Sequence, residues 1–154
     1  MELLLDATTP SHIEDIRNLF EEYAASLDFN LCFQNFSAEL AKLPGDYAPP
    51  SGCLLLAVQG GTATGCVALR RLESEIGEMK RLYVRPQFRG LGIGKALAEE
   101  TVRRAQKIGY KTIRLDTVNS MVGAQALYKK LGFTDTEPYY FNPLKDVRFM
   151  ELKL

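Results

Sequence analysis

The stretch RLYVRPQFRGLGIGKALAEE, residues 81–100, sets an apolar strand directly before a bend with glycine at 90, 92 and 94, and a helix directly after it. A strand that turns at once into a helix is half of a βα unit, so the chain must build a sheet covered by helices. The glycines remove the Cβ atoms that would otherwise keep a ligand from the backbone. The first turn of the following helix leaves amide hydrogens without internal partners. Such a bend suits a pyrophosphate, and Arg85, Arg89 and Lys95 could supplement it. The same letters equally serve a tight strand-to-helix turn that holds nothing.

Two nucleotide motifs fail letter by letter. A P-loop needs four residues between its first glycine and Gly-Lys, then Ser or Thr, whereas Gly90 and Gly94 enclose three and Lys95 precedes Ala96. A dinucleotide fingerprint would need glycine where Lys95 stands, although Asp116 falls where its acidic partner would.

The neighbouring elements agree with an α/β reading. MELLLDA is an opening strand with Leu3 and Leu5 on one face. Ser11 and Glu14 form a capping box for a helix whose stripe is Ile13, Ile16, Leu19, Phe20, Tyr23 and Leu27. An aromatic-bearing connection follows, with a short helix around Ser37 to Leu43 and a proline-fixed loop. Gly60-Gly61 turns a hairpin, and EIGEMKRLYV adds a third strand. Ile93, Leu97, Thr101, Ala105 and Ile108 mark the helix after the bend. The strand GYKTIRLDT then returns, so that a right-handed parallel crossover joins the two strands. Ser120 caps a last helix with Met121, Ala124, Leu127, Tyr128 and Leu131 inward. A short strand, an aromatic connection and a closing strand with a partly exposed edge complete the chain.

A chain of 154 residues with 46% hydrophobic composition builds one sizeable core, so a single domain over residues 1–154 is expected. Nineteen basic and nineteen acidic residues leave no global charge to attract nucleic acid. No apolar run reaches signal-peptide or membrane-spanning length, so a cytoplasmic location and no membrane partner are expected. Cys32, Cys53 and Cys66 read as free, buried or semi-buried thiols. His12 is the lone histidine, and no metal site is expected. The Arg70-Arg71 and Arg103-Arg104 pairs read as solvated faces.

The ordered set EMKRLYVRPQFRG, the glycine bend and ALYKKLGF, over Ile76 to Thr134, resembles the GCN5-related N-acetyltransferase (GNAT) superfamily. Arg89, Gly92 and Gly94 occupy the fixed positions of that family's Gln/Arg-x-x-Gly-x-Gly/Ala signature. The resemblance implies a mixed, mostly antiparallel sheet flanked by helices, with a splayed central pair of parallel strands. It implies acetyl-CoA as cofactor, with pantetheine along Leu82, Tyr83 and Val84. The phosphates would then meet the bend formed by Arg89, Gly90, Leu91, Gly92, Ile93, Gly94 and Lys95. It further implies that Tyr128 lies near the thioester sulfur and that Glu78 accepts the amine proton through water. The asparagine usual near the start of the last helix is replaced by Met121, with Asn119 displaced into the capping turn.

The chemistry asks for such groups. An alkyl ammonium titrates near 10.4, so aminolysis of a thioester at neutral pH needs a proton acceptor. The departing thiolate gains from a hydroxyl donor. Glu78 is either that acceptor or a salt-bridged strand carboxylate, and Tyr128 is either a cleft-facing donor or a core aromatic. For the acceptor, Phe33, Gln34, Tyr47, Tyr139 and Tyr140 are the candidate wall, or else a hydrophobic cap. The expected activity is direct acetyl transfer, in a ternary complex, to the primary amine of a small molecule or peptide. A noncatalytic acyl-CoA-binding domain and a structural homo-oligomer are the rivals, and a homodimer is compatible with any of them.

Overall fold

The computed structural model describes residues 2–27, 31, 35–118, 122–143 and 146–154. Among them, seven strands form one sheet in the order β1-β2-β3-β4-β5-β7-β6. The strands are β1 (Glu2–Asp6), β2 (Cys53–Gln59), β3 (Thr62–Glu73), β4 (Ile76–Val84), β5 (Thr112–Val118), β6 (Thr134–Asp135) and β7 (Val147–Lys153). The helices are α1 (Pro10–Ser26), α2 (Phe36–Lys42), α3 (Ile93–Ile108) and α4 (Val122–Leu131). All neighbouring strands pair antiparallel except β4 and β5, which are parallel, as the crossover through α3 predicts.

Each face of the sheet carries its own core. On one side Ile93, Leu97, Ala98 and Ala105 of α3 pack on Leu55, Val67, Leu69, Met79 and Ile113, joined by Tyr128 and Phe133. On the other, Ile16, Leu19 and Phe20 of α1 pack on Leu54, Leu56, Cys66, Ala68 and Tyr83. Residues of β2 alternate between two buried faces, which is why residues 53–58 form an apolar run. Cys53 and Cys66 are free and buried, as expected. Burial pushes the Cys53 thiol up to about 12 and the Cys66 thiol higher still, while Cys32 lies outside the described residues.

The details depart from the sequence reading where proline or tertiary contacts intervene. Helix α1 is capped by Thr9, whose side chain accepts from the His12 N–H at 3.1 Å, with Pro10 in the first turn and Ser11 inside the helix. The fixed φ of Pro10 favours a helical first turn and moves the start upstream of Ser11. In β1, Leu3 is 52% exposed and Leu4 is the residue that packs against the core. Strand β7 lies between β5 and β6 and buries both Phe149 and Met150, rather than forming a mixed outer edge. Ser120 and Met121 lie outside the described residues.

The central irregularity is in β4. Arg81 has φ 62, and the β3–β4 register slips between Ala68↔Lys80 and Cys66↔Tyr83. This bulge breaks the alternation of the strand. Lys80 and Arg81 are neighbours that would ordinarily face opposite sides, yet both reach the α1–α2 side. Parallel pairing with β5 extends only from Ile76↔Thr112 to Glu78↔Arg114, while β5 continues along β7 to Val118. Past Glu78 the two central strands therefore fork.

Candidate active site

The fork opens onto a cleft of about 600 Å³. Its walls include Leu82, Tyr83 and Val84 of β4, the bend residues Arg89, Gly90, Gly92, Ile93, Gly94 and Lys95, and Leu127 of α4. Gly92 caps α3 at φ 85, and a Cβ on Gly90 or Gly92 would project into open space rather than into protein. No acceptor among the described residues meets the N–H groups of Ile93, Gly94 and Lys95. An open concavity edged by unpaired amides and Lys95 fits a phosphate-bearing ligand.

Two details refine the sequence reading of this bend. Leu91 is 61% exposed and does not line the cleft. Arg85 is committed elsewhere, since its Nε and Nη2 donate to Glu22 at 2.7–3.1 Å and its Nη1 donates to the Ala63 carbonyl at 2.8 Å. Arg89 remains at the cleft, donating to the Val84 carbonyl at 2.9 Å and lying over the Tyr83 ring.

A second chamber, of about 450 Å³, opens on the α1–α2 side of the sheet. Tyr47, Tyr139, Tyr140 and Glu78 line it, whereas Phe33 and Gln34 lie outside the described residues. Glu78 is 1% exposed. One carboxylate oxygen accepts from Arg70 Nε at 2.8 Å and the other from the Tyr139 hydroxyl at 2.7 Å. Arg70 thus belongs to the chamber and not to a solvated face, while Arg71 stacks over Tyr110. Glu39 of α2 receives both Nε and Nη2 of Arg81 at 2.9 Å. With side-chain exposures of 3% and 16%, this is a nearly buried fork-to-fork pair. Breaking such a pair by removing one partner typically costs roughly 3–5 kcal/mol, so it secures α2 as a wall of the chamber.

Asp116 stands on β5 beyond the fork and accepts from the Tyr140 hydroxyl at 2.9 Å; Asn142 in turn donates to that hydroxyl at 2.8 Å. Burial raises the Asp116 carboxyl above the ordinary carboxylate range, against the pull of Lys80. Burial also lowers Lys80. The Tyr139 and Tyr140 hydroxyls are pushed up, first by burial and then by the carboxylates beside them. The two rings pack edge-on against Phe149, which fixes both hydroxyls from a single strand position.

Asp116 also feels the cleft. Tyr23 lines the cleft, and its hydroxyl is pushed up to about 12, by burial first, with Asp116 and Glu39 among the charges acting on it. Tyr128 is 7% exposed and packs against Phe133, with ring centroids 5.6 Å apart. Its hydroxyl is raised by burial and then by the charges of Tyr23 and Asp116. Asp116 thus stands behind Tyr140, which lines the chamber, and lines neither concavity itself.

Glu39, Arg70, Lys80, Arg81 and Asp116 escaped the sequence reading. Counting back from the Ser74-Glu75 turn, which pairs Glu73 with Ile76, sets Arg71 opposite Glu78. A slip between Arg71 and Glu73 sets Arg70 there instead. The apolar alternation of β3 into Ala68 was the available signal for Arg70. Nothing local marked Asp116. Among the described residues no group of three or more His, Cys, Asp or Glu could hold a metal ion, and no helix is long and apolar enough to cross a membrane.

Residues 13–133 match the model of the acetyltransferase (GNAT) family. An uncharacterized N-acetyltransferase of Schizosaccharomyces pombe is 42% identical over 147 residues, covering 94% of this chain and 90% of that one. The crystal structure of a GNAT-family acetyltransferase from Staphylococcus aureus superposes with a TM-score of 0.80 at 20% identity, over 99% of both chains. A Salmonella typhimurium protein solved with its cofactor acetyl-CoA superposes with a TM-score of 0.73 at 18% identity, over 99% of this chain and 93% of that one. In fold these structures are alike. By the reach of the family match and the identity of its relative, the chain belongs to the acetyltransferase (GNAT) family.

Proposed function

We propose that the protein is an acetyl-CoA-dependent N-acetyltransferase that acetylates a primary amine by direct transfer in a ternary complex. The observation that carries this reading is the pair of concavities, one edged by unpaired helix amides and the other by fixed polar side chains. The Salmonella typhimurium protein solved with acetyl-CoA supports the choice of cofactor.

Acetyl-CoA, when bound, supplies the thioester whose carbonyl the amine attacks. The amides of Ile93, Gly94 and Lys95 and the Lys95 ammonium hold the pyrophosphate. The free edge of β4 at Leu82, Tyr83 and Val84 aligns the pantetheine arm. Tyr128, protonated at neutral pH as an ordinary tyrosine is, with burial raising its hydroxyl further, donates toward the departing sulfur.

The amine proton passes to the Tyr140–Asp116 pair: Tyr140 accepts from nitrogen as its own proton moves to Asp116. Glu78, with each oxygen already engaged, holds Arg70 and Tyr139 in place. No covalent enzyme intermediate is needed.

Purified protein incubated with acetyl-CoA and a panel of small and peptide amines, with mass detection, tests the activity. Acetylated product formed at more than the uncatalysed rate is expected. Tight acetyl-CoA binding without turnover of any amine class would favour a noncatalytic binding domain.

A further inference from the structure

Arg70 has donors that the fold does not use. Its Nε is held by Glu78, while its terminal nitrogens make no hydrogen bond to described residues. The nearest acid to them is Asp46, whose Oδ2 lies 3.9 Å from Nη1 on a side chain that is 82% exposed. A guanidinium anchored through Nε and open at its outer edge presents two parallel N–H groups, the geometry that takes a carboxylate bidentately. Lys42 and Lys80 add positive charge to the same chamber.

The acids of the chamber wall do not argue for a purely cationic guest. Glu39 accepts two bonds from Arg81 and Glu78 one each from Arg70 and Tyr139, which leaves Asp46, at the solvent rim, as the acid of that wall not held by two donors. The Tyr139 and Tyr140 hydroxyls are held differently. Tyr139 donates to Glu78, the anchor of Arg70, whereas Tyr140 donates to Asp116 on β5.

We infer that the acceptor is an amino-acid-like molecule whose carboxylate docks on Arg70 while its amine points toward Tyr140. This rests on the acetyltransferase reading above. A chamber of about 450 Å³ admits a molecule of that size. The anion supplies the hydrogen-bonded partner that Asp46, at 3.9 Å, does not, and the amine is thereby directed toward Tyr140. A matched amine without the anion loses both the contact and the orientation.

The test uses matched pairs with acetyl-CoA: phenylalanine and phenethylamine, histidine and histamine, and the series aspartate, β-alanine, ethylamine. Phosphoethanolamine and ethanolamine form a further arm that separates phosphate from carboxylate. The carboxylated member is expected to exceed its partner by at least roughly 100-fold in kcat/KM. Arg70→Lys keeps a charge for Glu78 but lacks the fork, and should bring that ratio below roughly tenfold, chiefly through KM. Should this variant fold poorly, Arg70→Met combined with Glu78→Gln removes both buried charges and should abolish the preference. Equal or better use of the carboxylate-free amines, a preference confined to the phosphate arm, or an unchanged ratio in a folded variant would overturn the inference.

If acetyl-CoA binds and nothing is acetylated, the acetyltransferase reading is what fails. Equilibrium titration with aspartate and ethylamine then decides the subsite. Tighter binding of aspartate to the parent than to Arg70→Lys supports it, and no difference overturns it.

Discussion

At the residue scale, two carboxylates that resemble one another in composition differ in what surrounds them. Glu78 is held on both oxygens, by a guanidinium and a hydroxyl, whereas Asp116 accepts from Tyr140 and is desolvated on β5 beyond the fork. The ionised Asp116 is the form that takes a proton, and burial raises its titration above the ordinary carboxylate range. Turnover should therefore fall as pH drops through that elevated value. Asp116→Asn is expected to lose roughly 10²- to 10⁴-fold in kcat and this acid limb with it, as read from pH–rate profiles. Glu78→Gln should act mainly on acceptor KM, with kcat within roughly tenfold of the parent; the opposite split between the two variants would return the proton to Glu78. Tyr128→Phe keeps the ring against Phe133 and removes one hydroxyl. Single-turnover rates should fall roughly 10- to 1000-fold while acetyl-CoA affinity stays within a few-fold. An unchanged rate would make Tyr128 a packing residue.

At the element scale, the bulge at Arg81 and the cap at Gly92 do most to shape the site. The bulge turns Lys80 and Arg81 to the same side, which sets Lys80 in the chamber wall and ties α2 down through Glu39. It also adds local twist where β4 and β5 part. The cap works by absence: φ 85 is costly for a residue with a Cβ, and open space above it leaves the helix amides reachable. Gly92→Val is expected to strain the cap and intrude on the cradle. It should weaken acetyl-CoA binding by at least roughly tenfold in calorimetric titration of folded protein, with Lys107→Ala, in the last turn of α3, as the control. Equal affinities would remove the phosphate role of the bend. The periodicity of α1 and α3 was legible, because a helix that buries one stripe repeats that stripe in its letters. The start of α1 was not, since Pro10 both ends a strand and begins a helix.

At the scale of the whole molecule, one sheet with a core on each face carries two concavities, both with β4 in their walls. The sequence by itself determined the strand and helix order, the parallel crossover and the glycine cradle, because each depends on residues close together in the chain. Cleft-lining positions such as Leu82, Gly92 and Lys95 were legible for the same reason. The chamber was decided by tertiary structure. Tyr139 meets Glu78 across 61 positions, Arg81 meets Glu39 across 42, and Tyr140 meets Asp116 across 24. Which polar groups neutralise one another, and which donors are left facing the chamber, depends on strand register, and two register slips in the β3–β4 pair reset it. Local periodicity records which face of an element is apolar; it does not record which charged side chain on a distant element will meet that face, because that pairing arises only when the sheet closes.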